Sequence, residues 1–324
     1  MITFRKAAIL GATGPTGIHL TAGLRGRVPA IRVVSRSSRN LARAFPESDL
    51  ERTAADVLKE GQALRAIEGC DLVFDCIGLP SELMDRHPGV AANVAAAVTR
   101  TGARLVQISS YWAYLPIVRL PVDESHPREG GPPWVRYRRE AEDILQRSGA
   151  AVVNLPDFYG PNVHTSVLEN ALRNAVDGKP MNWIGAADVP REHLFVPDAM
   201  RFAVDLAHRE EAYGECFLFS GGGPLTGRRA AELAAEHLGR DVKLRAASPW
   251  LLRLVGIFDK DLRGFLPMVP HYLQPLSFDA GKLRTLLGTF ETTPYERGIG
   301  ETLAWLSSAP GGDASLPSRY RSSE

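Results

Sequence analysis

The chain has 324 residues, 44% of them apolar and 23% charged, enough to bury one large core or two smaller ones. Its net charge of +1 gives no overall field to recruit nucleic acid or an anionic membrane. No apolar run is long enough to span a bilayer.

In chain order, an apolar run at 7–10 reads as a strand. It is followed by Gly11-Ala12-Thr13-Gly14-Pro15-Thr16-Gly17 and by apolar residues at helical spacing over 18–24. Strand, glycine turn, helix is the layout that phosphate binding needs. Glycines let the backbone turn tightly and approach a pyrophosphate, and the helix start offers unpaired N–H groups and the positive end of its dipole. A second strand over 31–35 follows at the distance where a ribose-reading residue belongs. Residues 39–45 read as a short helix, and Asp56-Val57 as a turn before an amphipathic stretch over 58–67. The run 71–77 ends at Gly78 like a buried parallel strand. An alanine-rich helix over 90–101 precedes a strand over 104–108 that ends in Ser109-Ser110. A proline-rich loop spans 115–133, a charged helix 134–147 and a strand 150–155. This alternation argues for an α/β fold with a doubly wound parallel sheet.

The second half is less regular. Residues 156–162 read as loop, 163–176 and 197–208 as helices and 216–219 as a short strand. Residues 225–238 read as a helix with Thr226 as N-cap and Gly239 as its stop. Residues 249–266 are apolar and aromatic, a last helical turn covers 302–306, and the tail from 307 has a disordered composition. The expected division is a dinucleotide-binding core over 1–155, to which 194–220 return. A small C-terminal substrate-binding cap over 156–193 and 221–306 and a flexible tail over 307–324 complete it. Cys70, Cys76 and Cys216 have neither metal nor redox spacing, and the N-terminus enters the first strand too soon for a signal peptide. Both point to a cytoplasmic protein without a metal.

Together these segments resemble the extended short-chain dehydrogenase/reductase family, the epimerase and dehydratase group with its atypical members. The resemblance covers residues 6 to about 306. Gly11, Gly14 and Gly17 match its glycine motif, Asp56-Val57 the pair at the adenine, and Ile77-Gly78 the strand end along the cofactor. Ile108-Ser109-Ser110, followed by Ala113-Tyr114, resembles the strand and loop with the catalytic serine, which falls on Ser110. Residues Pro156 and Tyr159-Gly160-Pro161 resemble the loop beside the nicotinamide, and Phe195-Val196-Pro197-Asp198 a later strand-to-helix turn. The resemblance implies a Rossmann-like fold and a dinucleotide cofactor. It also implies a homodimer through helices 90–101 and 134–147, although the charged second helix argues against a dry interface.

One departure bears on the chemistry. The family carries Tyr-x-x-x-Lys on the helix after the serine, whereas aligning Arg139-Glu140-Ala141-Glu142 here puts Trp134 on the tyrosine and Arg138 on the lysine. Tryptophan has no ionisable proton. Arginine still holds a ribose but is no substitute for lysine. Replacement acids are Tyr111 and Tyr137, provided a nearby cation lowers their pKa. The cap histidines His164 and His193 are expected to face the cofactor. Trp134 and Tyr159 are expected to shape the substrate site. The other reading makes these tyrosines and histidines packing or hydrogen-bonded loop residues.

The cofactor expected is NADP(H) before NAD(H). No carboxylate occurs before Phe45, so none is available to accept from a ribose 2′-hydroxyl at the second strand's end. Ser35, Arg36 and Arg39 suit a 2′-phosphate instead. Cap aromatics such as Trp183, Phe195, Trp250, Phe258 and Phe265 suit a small apolar or aromatic carbonyl substrate. Two alternatives stand beside this oxidoreductase: a non-catalytic redox sensor or regulator that binds the dinucleotide, and a nucleoside-sugar epimerase or dehydratase.

Overall fold

The structure, a computed structural model, describes residues 1–164, 166–247, 250, 257 and 260–308. Its strands are β1 (Lys6–Leu10), β2 (Ala30–Ser35), β3 (Glu51–Ala54), β4 (Leu72–Asp75), β5 (Arg104–Ser110), β6 (Ala151–Leu155), β7 (Asp157–Tyr159), β8 (Met181–Ile184), β9 (Arg191–Phe195), β10 (Cys216–Leu218), β11 (Pro224–Leu225) and β12 (Leu244–Ala247). Seven of them form a parallel sheet in the order β10-β6-β5-β4-β1-β2-β3. This is a doubly wound, Rossmann-like arrangement whose switch point lies between β1 and β4.

The helices pack on both faces because the strands are apolar on both. On one face, α1 (Pro15–Leu24) and α7 (Val196–Ala207) bury Leu20, Leu24, Phe202 and Val204 against Ile9, Phe74 and Val106. On the other, α3 (Glu60–Ile67), α4 (His87–Thr101) and α5 (Pro133–Arg147) bury Ile67, Val94 and Leu145 against Leu10, Val73 and Leu105. Side-chain alternation along β5 therefore directs Leu105, Gln107 and Ser109 towards α4 and α5. Short α2 (Ser38–Ala44) begins at Ser37, whose Oγ accepts from Asn40 N at 3.2 Å. In the C-terminal region, α6 (Val167–Val176), α8 (Gly227–Leu238) and the helix Tyr295–Ser308 enclose their own core of Leu172, Trp183, Leu233 and Ile299.

Several boundaries differ from the sequence reading. β3 was not expected, because its residues Glu51-Arg52-Thr53-Ala54 are mostly exposed at the sheet edge, where apolar alternation is not required. Residues 157–159 are strand, not loop, and pair in parallel with β9. α6 starts at Val167, since Ser166 Oγ caps it by accepting from Glu169 N at 3.0 Å. The last helix starts at Tyr295, well before 302, because Gly298 and Gly300 blur its periodicity. Gly298 is there to admit the Tyr159 ring. Thr226 and Gly239 do cap α8, with Gly239 at φ 64°. Phe258, most of the stretch 249–259 and the tail from 309 lie outside the described residues. Among the described residues no helix is long and apolar enough to cross a membrane.

Candidate functional site

The carboxyl ends of the central strands gather the sequence-predicted residues. Gly11 follows β1, Ser35 ends β2, Ile77 and Gly78 follow β4, Ser110 ends β5 and Pro156 follows β6. Asp56-Val57 lies just beyond β3.

The three motif glycines have three different reasons to be glycine. Gly11 has φ 76°, and a Cβ there would stand 2.9 Å from Cys76 O. A Cβ on Gly17 would stand 2.5 Å from the Ala12 backbone. Gly14 has an ordinary φ of −81°, and the nearest atom to its Cβ position is Gly11 O at 3.3 Å. The fold thus requires the first and third glycines but not the second. Gly14 is also the N-cap of α1 and offers no side-chain cap, with Pro15 just after it, so the first-turn N–H groups face outward for an anion. The buried Thr13 and Thr16 flank the turn. This cradle fits a dinucleotide pyrophosphate.

At the end of β2, Ser35 Oγ accepts from Ser37 N at 3.3 Å. Arg36 and Arg39 are exposed, and neither makes an ion pair or hydrogen bond among the described residues. Asp56 Oδ1 accepts from Leu58 N at 3.2 Å, shaping the turn expected at the adenine. Asp75 Oδ1 accepts from Ile77 N at 3.1 Å, which fixes the backbone leading to Gly78.

Beneath β5 lies a buried polar layer that the sequence reading missed. Ser109 donates to Glu142, and Arg138 Nη1 donates to Ser109 Oγ at 3.3 Å. Arg128 Nη2 reaches Glu142 Oε2 at 2.7 Å. Burial raises both Asp75 and Glu142 to a pKa of about 6, against the opposing pull of Arg138. Burial, helped by Arg138, lowers His87 to about 3. Arg138 and Glu142, four residues apart on α5, therefore both face the sheet, as expected if Arg138 takes the lysine position. The available signal was their spacing together with the alternation that separates Ser109 from Ser110.

Ser110 is partly buried at the lip of the sheet, and its Oγ accepts from Trp112 N at 3.3 Å. Trp112 and Trp134 stack with ring centroids 6.3 Å apart. Phe265 and Ile117 join them in one apolar cluster, and the Cβ position of Gly264 lies 3.9 Å from the Trp134 ring. An indole wall thus occupies the place of the expected acid.

The proposed replacement acids fare differently. Tyr111 is buried, donates to Asp157 Oδ2 at 3.2 Å and accepts from Arg191 Nη2 at 3.0 Å. Burial and the Asp157 charge raise its pKa, opposite to the fall expected. Tyr137 is partly buried and shares its flank of α5 with Ala141 and Ile144, which pack against α4; helical spacing turns it away from Arg138. Tyr159 is core: it stacks on Tyr295 and tilts against Phe195, and its hydroxyl is buried without a partner among the described residues. His164 sits beside Arg173 and Trp305, in the C-terminal region. His193 is buried beside Trp183. Of the cap aromatics, Trp183 and Phe195 are core, Trp250 is 67% exposed, and Phe265 lies near the site.

A parallel seven-stranded sheet with a glycine cradle at its switch point is the Rossmann-like arrangement in which dinucleotides are held. Residues 11–155 match a family model described as NAD(P)H-binding. Comparison with curated proteins gives no match. Among solved structures, the epimerase Mth375 from Methanothermobacter thermautotrophicus aligns with TM-score 0.79 and 18% identity, over 94% of this chain and 93% of that one. A UDP-glucuronic acid 4-epimerase from Bacillus cereus, in complex with UDP-glucuronic acid and NAD, gives 0.77 and 14%, over 93% and 98%. A dTDP-glucose 4,6-dehydratase from Bacillus anthracis, in complex with NAD, gives 0.76 and 15%, over 93% and 96%. Residues 11–155 are thus similar to NAD(P)H-binding domains, and the whole chain shares its fold with these epimerase and dehydratase structures.

Proposed function

We propose that this protein is an NADP(H)-dependent oxidoreductase that acts on a small apolar or aromatic carbonyl compound. The observation that carries the reading is Ser110, a hydroxyl at the carboxyl edge of the sheet, walled by Trp112 and Trp134. When bound, the nicotinamide supplies or accepts a hydride. The chain's own part is to hold the carbonyl oxygen at Ser110 and to exclude water with the indoles.

Two further observations support the reading. The exposed, unpaired guanidinium groups of Arg36 and Arg39, with no carboxylate before Phe45, favour a 2′-phosphate over a free ribose. The buried Arg191 spends its guanidinium on Tyr111, Asp157 and the carbonyls of His271 and Gln274, which leaves it unavailable to a nucleoside diphosphate.

The test is titration of NADPH and NADH into the parent and Arg36→Ala, followed by NADPH oxidation with a panel of aromatic aldehydes and ketones. The parent binds NADPH more tightly, the substitution erases most of that preference, and at least one carbonyl compound is reduced. Equal cofactor affinities overturn the NADP assignment. Tight binding without turnover favours the second reading, a redox sensor or regulator, for which the replacement of the expected acid by Trp134 already speaks. Turnover of a nucleoside-diphosphate sugar instead places the chain with the epimerases.

A further inference from the structure

His193 is the most anomalous polar side chain outside the cofactor cradle. It is 2% exposed, and both ring nitrogens are buried without a hydrogen-bond partner among the described residues. Its backbone is held by Tyr295, whose Oη accepts from His193 N at 2.9 Å and shares its proton between Gly223 O at 2.7 Å and His193 O at 3.0 Å. Burial lowers the ring's pKa to about 4, so at neutral pH it carries one N–H donor and one lone-pair acceptor.

The polar neighbours of the ring are committed elsewhere. Asp157 stands opposite His193 in the β7–β9 register, on the same face of the small sheet. Its Oδ1 accepts from Tyr272 Oη at 2.9 Å, and its Oδ2 accepts from Tyr111 Oη and Arg191 Nη2, each at 3.2 Å. Trp183 presents its ring to the imidazole in a T-shaped contact at 6.3 Å. Two orphaned nitrogens in one buried ring are costly unless something fills the place. The cluster is tied to the reaction centre through Tyr111, which donates to Asp157 Oδ2. Tyr111 directly follows Ser110, and Asp157, with 13% of its side chain exposed, is the member that meets solvent.

The geometry points to His193 as the docking point for a neutral hydroxyl on the substrate, at the end remote from the carbonyl that Ser110 holds; this rests on the oxidoreductase reading above. A neutral imidazole gives at one nitrogen and takes at the other. A hydroxyl matches either. A carboxylate only accepts, and would meet the Asp157 charge. An ammonium only donates, and would meet Arg191. Trp183 beside it is a core indole, so the surroundings of that hydroxyl are apolar. The substrate class is therefore a hydroxylated aromatic carbonyl compound.

The probes are 4-hydroxybenzaldehyde and its near-isostere 4-methylbenzaldehyde, used with the full chain and saturating NADPH. The parent is expected to favour the hydroxyl compound by at least about tenfold in kcat/KM, and His193→Phe removes the preference. Phenylalanine leaves no unpaired nitrogen but carries a larger ring, so any fall in the melting temperature of His193→Phe reports overpacking rather than loss of a hydrogen bond. His193→Gln, which keeps a donor and an acceptor, retains part of the preference and serves if the phenylalanine variant does not fold. Spectra of 15N-histidine-labelled protein supply a readout without turnover: the His193 signals move with the hydroxyl compound and not with the methyl one. Equal kcat/KM in the parent, a preference that survives in His193→Phe, or unmoved His193 signals each overturn the site. If the signals move but neither aldehyde is reduced, the docking site stands and the oxidoreductase reading falls.

Discussion

Trp134 stands where the family resemblance expects an acid, and an indole has no proton to give. Its stacking on Trp112 makes it a wall. Trp134→Phe should therefore cost far less than the roughly 10²–10⁴ lost with a general acid. Ser110→Ala should lower the rate by about 10²–10³, the usual loss for a positioned hydrogen-bond donor. Steady-state NADPH oxidation by the two variants checks both statements, and a larger loss at Trp134 than at Ser110 contradicts them. His193 gives a second residue-scale prediction. Its folded pKa of about 4 lies below the ordinary histidine value, so the unfolded chain binds the extra proton as pH falls from about 6.5 towards 4. The parent loses stability across that window through this group, and His193→Phe removes up to one proton's share of the slope, about 1.4 kcal/mol per pH unit. Urea melts of both proteins from pH 4 to 7 measure it. The raised carboxylates Asp75 and Glu142 act in the opposite direction but contribute equally to both proteins, so the difference isolates His193.

At the scale of elements, the glycine turn separates folding from binding. Gly17→Ala drives a Cβ into the Ala12 backbone and should destabilise the protein by about 1–3 kcal/mol. Gly14→Val places its Cβ 3.3 Å from Gly11 O, a tight contact but far milder than the one at Gly17, so its melting temperature should fall less than that of Gly17→Ala while NADPH binding is abolished. Thermal melts and cofactor titration of the two variants check the contrast, and a folded Gly14→Val that binds normally would show that no pyrophosphate lies there. The parts of the fold legible in the sequence were those where one residue type serves one purpose. The strands at β1, β2, β4, β5 and β6 were apolar because both faces are covered, and α8 carried its caps in Thr226 and Gly239. β9 was legible only at its end, where Phe195-Val196-Pro197-Asp198 resembles a strand-to-helix turn; its body was not, because Arg191, Glu192 and His193 are charged or polar yet buried, and their partners, Tyr111, Asp157, Phe278 and Gly221, are scattered along the chain. Tyr111 illustrates the same limit at the site. Its place beside Ser110 was plain from the sequence, but the Asp157 carboxylate that raises its pKa is 46 residues away.

Across the whole molecule, Arg191 binds the late chain to the sheet. It donates to the carbonyls of His271 and Gln274 at 2.8 and 2.9 Å, pairs with Asp157, and lies over the Tyr272 ring at 4.6 Å. Arg191→Ala leaves Asp157 largely buried without its cation and should cost about 3–5 kcal/mol in urea unfolding; a loss under 1 kcal/mol would mean that the aromatic packing alone suffices. A homodimer through α4 and α5 remains our proposal, tested by light scattering, in which a particle of one chain's mass refutes it.

The Arg191 anchor also matters for how such a protein diversifies. Because the Arg191 guanidinium and the backbone pairing of Leu276 with Pro190 and Glu192 together fix 271–276 to β9, the register of everything after that point does not depend on the residues just before it. Segment 260–268, which brings Phe265 and Gly264 to the indole wall, then becomes an exchangeable cassette. Chimeras that graft this segment from relatives, with junctions placed before Val269, should fold with the parental core and cofactor preference while inheriting the donor's substrate range.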